Sequence, residues 1–187
     1  MDQRDLVERA KRGDHDAFAT LAADAVARLD AAARLILRDP ELARDGVQDG
    51  YIRAWRTLPA LRDPDRFDAW LRRLIVHACI DIMRRRRHRA IEVDLTPIDL
   101  ATGGDFTSTI ADRDQVDEAL RHLDPEWRAV VVMHYFLGMP LPEVARALGI
   151  PLGTAKSRLH RSIQAMRIAV GTDEVSVTPS IPGGQLA

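Results

Sequence analysis

Apolar residues recur along this chain at spacings of three and four and never in a sustained alternation, which excludes strands and leaves an all-α protein. The period holds from the N-terminus to about Arg87, collapses over "AIEVDLTPIDLATGGDFTSTIADR" (90–113), and returns with "VDEALRHL" (116–123). A stretch with Pro97, Gly103, Gly104 and scattered Ser and Thr reads as a tether. The spacing therefore predicts two small helical domains, 1–90 and 115–169, joined by a flexible linker over 91–114. The last residues, 170–187, are rich in Gly, Pro, Ser and Thr and read as a disordered tail.

Breakers set the expected helices. One spans Gln3 to Arg12 and stops at Gly13; a second runs from Asp16 to Leu37 and is closed by Asp39-Pro40. The third, Glu41 to Leu58, puts Val47, Tyr51, Trp55 and Leu58 on one face, and the fourth, Arg66 to Arg87, buries Phe67, Trp70, Leu71, Leu74, Ile75, Ala78 and Ile82. Beyond the linker, Asp124 and Pro125 supply an N-cap and a first-turn proline to a helix carrying Trp127, Val130, Val131 and Tyr135, ended by Gly138.

A net charge of −1 conceals strong segregation. Residues 66–91 hold eight arginines against Asp68 and Asp81, a net +6. Residues 92–118 carry eight acids against Arg113, a net −7, and 152–168 carry Lys156, Arg158, Arg161 and Arg167 with no acid, a net +4. Two basic patches flanking an acidic connector suit a polyanionic partner, because a phosphate backbone senses the local patch. No apolar run is long enough to span a membrane and the N-terminus lacks the apolar core of a signal peptide, so a cytoplasmic protein without membrane insertion is expected. Cys79, alone, reads as a small buried hydrophobe. No cluster of catalytic residues or phosphate-cradling glycine loop appears, so neither an enzyme nor a cofactor is expected.

The most specific signal is "LPEVARALGIPLGTAKSRLHRSIQAMR" (141–167). Pro142 fits a first turn, Val144, Ala145 and Leu148 form an inner face, and Gly149 permits the left-handed turn into a second helix. In that helix Ala155, Leu159, Ile163 and Met166 point inward, leaving Lys156, Ser157, His160, Arg161 and Gln164 on an acid-free outer face. Such a face can enter a major groove while backbone N–H groups near Gly153 and Thr154 meet a phosphate.

Three stretches, "ARDGVQDGYIRAW" (43–55), "RFDAWLRRLIVHACIDIMRRRRHR" (66–89) and "LDPEWRAVVVMHYFLGMPLPEVARALGIPLGTAKSRLHR" (123–161), together resemble the extracytoplasmic-function sigma factors of bacterial RNA polymerase, of the sigma-70 family. With the intervening helices the resemblance covers residues 14 to 168. It implies that Asp45, Gln48, Asp49 and Arg53 meet core RNA polymerase. It implies that Trp70, Arg73, His77 and Arg84, Arg85, Arg86 and Arg87 serve the melted promoter element, where flat surfaces replace lost stacking and arginines hold phosphates. By the same resemblance Lys156, Ser157, His160 and Arg161 read the distal duplex element, with Thr154 and Arg158 at its phosphates, the linker threads through the polymerase, and an anti-sigma protein is a further partner. His77 stands where the family commonly has asparagine, Pro140 where a serine cap is common, and Ala155 where valine is common. Gly46 and Gly50 replace larger residues, which predicts a locally loose helix. The rival reading from the residues alone is a stand-alone helix-turn-helix regulator that binds DNA as a dimer.

Overall fold

The computed structural model describes residues 2–92 and 111–170; most of the expected linker and the tail beyond Val170 lie outside the described residues. The first domain comprises α1 (Gln3–Lys11), α2 (His15–Leu37), α3 (Pro40–Thr57) and α4 (Phe67–Glu92). Asp2, Asp14 and Asp39 cap the first three, each carboxylate accepting from an N–H in the first turn. Pro40 occupies the first turn of α3, where its missing N–H has no partner to lose. Two short 3₁₀ turns, Leu58–Ala60 and Pro64–Arg66, lead from α3 into α4.

The centre of this domain is the α3–α4 seam, where Ala43, Gly46, Val47, Gly50 and Ala54 of α3 are buried. Here the expectation of a loose helix fails. A Cβ on Gly50 would lie 2.5 Å from Ile75 Cγ1 and 2.8 Å from its Cα, and one on Gly46 3.2 Å from Cys79 Sγ. The two glycines are what lets the helices touch, so their cost in propensity is spent on contact. Tyr51 and Trp55, expected on the buried stripe, are only half-buried. In α4, Phe67, Leu71, Ile75, Val76, Ala78, Cys79 and Ile80 are buried, more than one stripe, because α4 packs against both α3 and α2. Helix α4 runs past its expected end at Arg87 to Glu92.

The second domain holds α5 (Ala111–Arg121), α6 (Pro125–Val131), a π-turn (Val132–Phe136), α7 (Leu141–Leu148) and α8 (Leu152–Ala169). Helix α5 begins earlier than its apolar pattern suggests, taking in 111–114. Asp124 stands at the N-cap of α6, yet its side chain accepts no capping hydrogen bond. The helix passes into the π-turn, on which Tyr135 is exposed. Gly149, at φ 67° and ψ 35°, makes the sharp bend between α7 and α8.

The domains pack against each other. Helix α2 meets α6 and the π-turn, α4 meets α7, and buried residues of both domains form one continuous cluster. Beside the ion pairs Arg38–Asp117 and Arg87–Glu126, arginines donate to carbonyls at helix ends of the opposite domain. Arg28 bonds Phe136 O at 2.8 Å, Arg72 bonds Leu137 O at 3.1 Å and Arg84 bonds Leu148 O at 2.8 Å. In return Arg128, only 7% exposed, bonds Ile36 O through Nη2 at 3.1 Å, and Leu123 O within its own domain. Burial, then the charges of Arg38 and Arg86, push the Arg128 guanidinium down to about 10.

Candidate nucleic-acid interface

Helix α8 owes its two faces to its spacing. Ala155 and Ser162 are fully buried, with Leu159, Ile163 and Met166 half-buried beside them. Ser162, a polar residue in this position, satisfies its hydroxyl on Arg158 O at 2.8 Å. Lys156, Ser157, His160, Arg161 and Gln164 are all exposed on the outer face. Pro151 at the N-cap offers no capping side chain, and Gly153 faces open space, so the first-turn N–H groups beside Thr154 point at solvent. Ser157 Oγ meanwhile bonds Thr154 O at 3.0 Å. Arg158 is turned away from that face: half-buried, it pairs with Glu126 at 2.7 Å.

On α4, Arg73 and His77 are exposed one turn apart. Trp70 is half-buried, its ring tilted against Phe67 at 5.8 Å, so it belongs to the core with one edge free. Arg84 to Arg87 lie on successive sides of the helix and therefore meet different partners. Arg85 reaches Asp81 O at 3.2 Å, Arg86 stands 3.9 Å from Asp39, and Arg87 pairs with Glu126 at 2.5 Å. Arg84 is spent on the α7 carbonyl at the helix-turn-helix bend. The face that α4 shares with Arg53, Asp81 and His88 frames an open basic groove of about 360 Å³.

The residues of α3 divide. Asp45 and Gln48 are exposed, whereas Arg53 bridges Asp49 at 2.6 Å and Asp81 at 2.9 Å, tying α3 to α4. Those bonds, to Asp81 first and then to Asp49, hold the Arg53 guanidinium above its ordinary value. Beside them α2 and α3 enclose an apolar groove of about 740 Å³, walled by Phe18, Val26, Val47, Tyr51, Ile52 and Trp55. Sequence reasoning passed over Val26 and Ile52, 43% and 40% exposed; the signal was an isoleucine standing one position off the apolar stripe. It also passed over Arg128, a lone arginine inside the apolar run "WRAVVV".

An all-helical chain that presents an acid-free recognition helix after a left-handed glycine turn is a helix-turn-helix DNA-binding protein. Comparison narrows the class. Residues 21–89 match the family model for sigma-70 region 2 and residues 113–166 that for sigma-70 region 4. The RNA polymerase sigma-E factor of Streptomyces avermitilis is 33% identical over 135 residues, spanning 72% of this chain and 74% of its own. The ECF RNA polymerase sigma factor SigM of Mycobacterium tuberculosis is 34% identical over 152 residues, 80% of this chain and 75% of its own. Among solved structures, CnrH in complex with the cytosolic domain of CnrY is 29% identical with a TM-score of 0.60, covering 92% of this chain and 99% of that one. The sigma factor RpoE of Bartonella quintana, in complex with the anti-sigma factor NepR, shares the fold at a TM-score of 0.67, 22% identity, and 83% and 98% coverage. The chain belongs to the sigma-70 family, as an RNA polymerase sigma factor of the extracytoplasmic-function group.

Proposed function

We propose that this sigma factor divides initiation among three surfaces. Residues 1–90 bind core RNA polymerase and the melted promoter element, 91–114 connect, 115–169 read the distal duplex element, and 170–187 stand apart as a tail. Asp45 and Gln48, with the apolar groove at Val26 and Ile52, form the polymerase side; Asp49 and Arg53 hold that helix in place through Asp81. Arg73 and His77, with the edge of Trp70, face the unpaired strand, and Arg84, Arg85, Arg86 and Arg87 hold phosphates. On α8, Lys156, Ser157, His160 and Arg161 meet base edges, and Thr154 and Arg158 meet the backbone.

The observation that carries this reading is the outer face of α8, exposed along its length and free of acid. The apolar groove between α2 and α3 is the kind of surface that docks on another protein, as a polymerase subunit must on its core. The chain acts without catalysis of its own, in the cytoplasm, where its polymerase works; no described helix is long and apolar enough to cross a membrane. CnrH was solved with the cytosolic domain of CnrY and RpoE with the anti-sigma factor NepR, and an anti-sigma protein is proposed here too. The test is run-off transcription from genomic fragments with purified core polymerase. Specific transcripts are expected only when both are present. A specific dimeric footprint by the chain alone would overturn the reading.

A further inference from the structure

The arginines proposed for the two promoter elements share a single carboxylate. Glu126, in the first turn of α6, holds Arg87 of α4 at 2.5 Å and Arg158 of the recognition helix at 2.7 Å. A carboxylate that accepts from two guanidinium groups presents the geometry those groups would find on a phosphate. Around it the polar part of the domain contact, which flanks the shared apolar cluster, is built from groups that water can also satisfy. Arg28, Arg72 and Arg84 donate to helix-end carbonyls, and Arg38 pairs with Asp117 at 2.5 Å. Arg72 Nε, moreover, is buried without any hydrogen-bond partner, so opening relieves an unsatisfied donor. An interface of this kind is closed in isolation and separable by a competing polyanion.

We infer that Glu126 is an internal phosphate surrogate: it latches the two domains together in the free chain, masking Arg87 and Arg158, and a nucleic-acid backbone opens the latch by displacing it. The inference rests on the proposed roles of those two arginines. Free sigma factor then binds DNA weakly because the competent form is a minority, and the observed affinity is the intrinsic one multiplied by that fraction.

The test uses the full chain carrying exposed dye sites A60C and A169C, with native Cys79, 1% exposed, protected from labelling. Dye-to-dye distance and binding of a short labelled duplex of mixed sequence are measured at low salt for the parent, Glu126→Gln and Glu143→Gln. Glu143 is the matched control, because it is a first-turn acid of the neighbouring helix α7 whose ion pair among the described residues, at 3.9 Å, is with Arg146 of the same helix. Glu126→Gln is expected to lengthen the distance and tighten duplex binding by about three- to tenfold. Glu143→Gln should change binding by less than about twofold. DNA added to the parent should lengthen its distance as well. Equal gains in the two variants would reduce the effect to net charge and overturn the latch, as would tighter binding with an unchanged distance. Run-off transcription by the parent is read separately: its absence would remove the roles proposed for the arginines, whatever the distances show.

Discussion

Replacing Gly50 by alanine tests the seam on which both partner surfaces are mounted. In an open helix the change would gain about 1 kcal/mol of propensity. Here the new methyl would lie 2.5 Å from Ile75 Cγ1 and 2.8 Å from Ile75 Cα, about 1 Å inside contact. A rotamer change can move Cγ1 but not a helix Cα, so α3 and α4 must part. Parting two packed faces by 0.5–1 Å forfeits roughly a third of each contact of ~0.15 kcal/mol; over about 40 contacts that is ~2 kcal/mol, and residual overpacking adds ~1 kcal/mol. Net of propensity, the variant is destabilised by about 2 kcal/mol, a fall in Tm of roughly 4–8 °C by calorimetry. Gly46→Ala is the internal comparison: its methyl meets only the side-chain atoms Cys79 Sγ and Ile82 Cδ1, at 3.2 and 3.3 Å, and should stay within about 1 kcal/mol of the parent. A Gly50→Ala protein as stable as the parent, or more so, would refute the close-approach reasoning and restore the loose helix.

Ile52→Asp should weaken core polymerase binding by about thirtyfold, the equivalent of ~2 kcal/mol of lost apolar burial, with no fall in Tm, as measured by fluorescence titration and calorimetry. Arg161→Ala should lower holoenzyme affinity at one base pair of the distal element by ~1–3 kcal/mol; uniform weakening across substituted promoters would make it a phosphate contact. Burial pushes the Asp117 carboxyl up, but the hydrogen bond and charge of Arg38, then those of Arg121, bring it net below its ordinary value. Its stabilisation is therefore present above the unfolded carboxylate value near 3.9 and lost as pH falls from there through the lower folded-state value. Thermal scans from pH 5 to pH 3 should accordingly show a steeper loss in the parent than in Asp117→Asn.

Much of the fold was legible because burial leaves a period. The helix-turn-helix was read residue by residue, since Gly149, Ala155 and the acid-free face of α8 each carry a local physical signature. What escaped was whatever depends on a partner elsewhere in the chain. A glycine in a helix reads as weakness until the helix it touches is known, as at Gly50 and Ile75. Helix α4 looked one-sided although two neighbours cover it, and its expected end at Arg87 took no account of Arg84 and Arg87 being anchored across the domain boundary. Arginine-to-carbonyl contacts have no spacing rule, so neither Arg128 with Ile36 nor the packing of the two domains could be anticipated from composition. The π-turn belongs with these, since nothing in "VMHYF" distinguishes it from ordinary helix.

Cys79 lies against Gly46 in the α3–α4 seam, and burial pushes its thiol up to about 12. At mildly alkaline pH only about one thiol in ten thousand would be ionised, so alkylating reagents reach it solely when α3 and α4 come apart. The chain thus carries a built-in stopwatch: with a single sulfhydryl and no tag, the speed of its modification records how often the seam breathes, alone, on polymerase, or under an inhibitor.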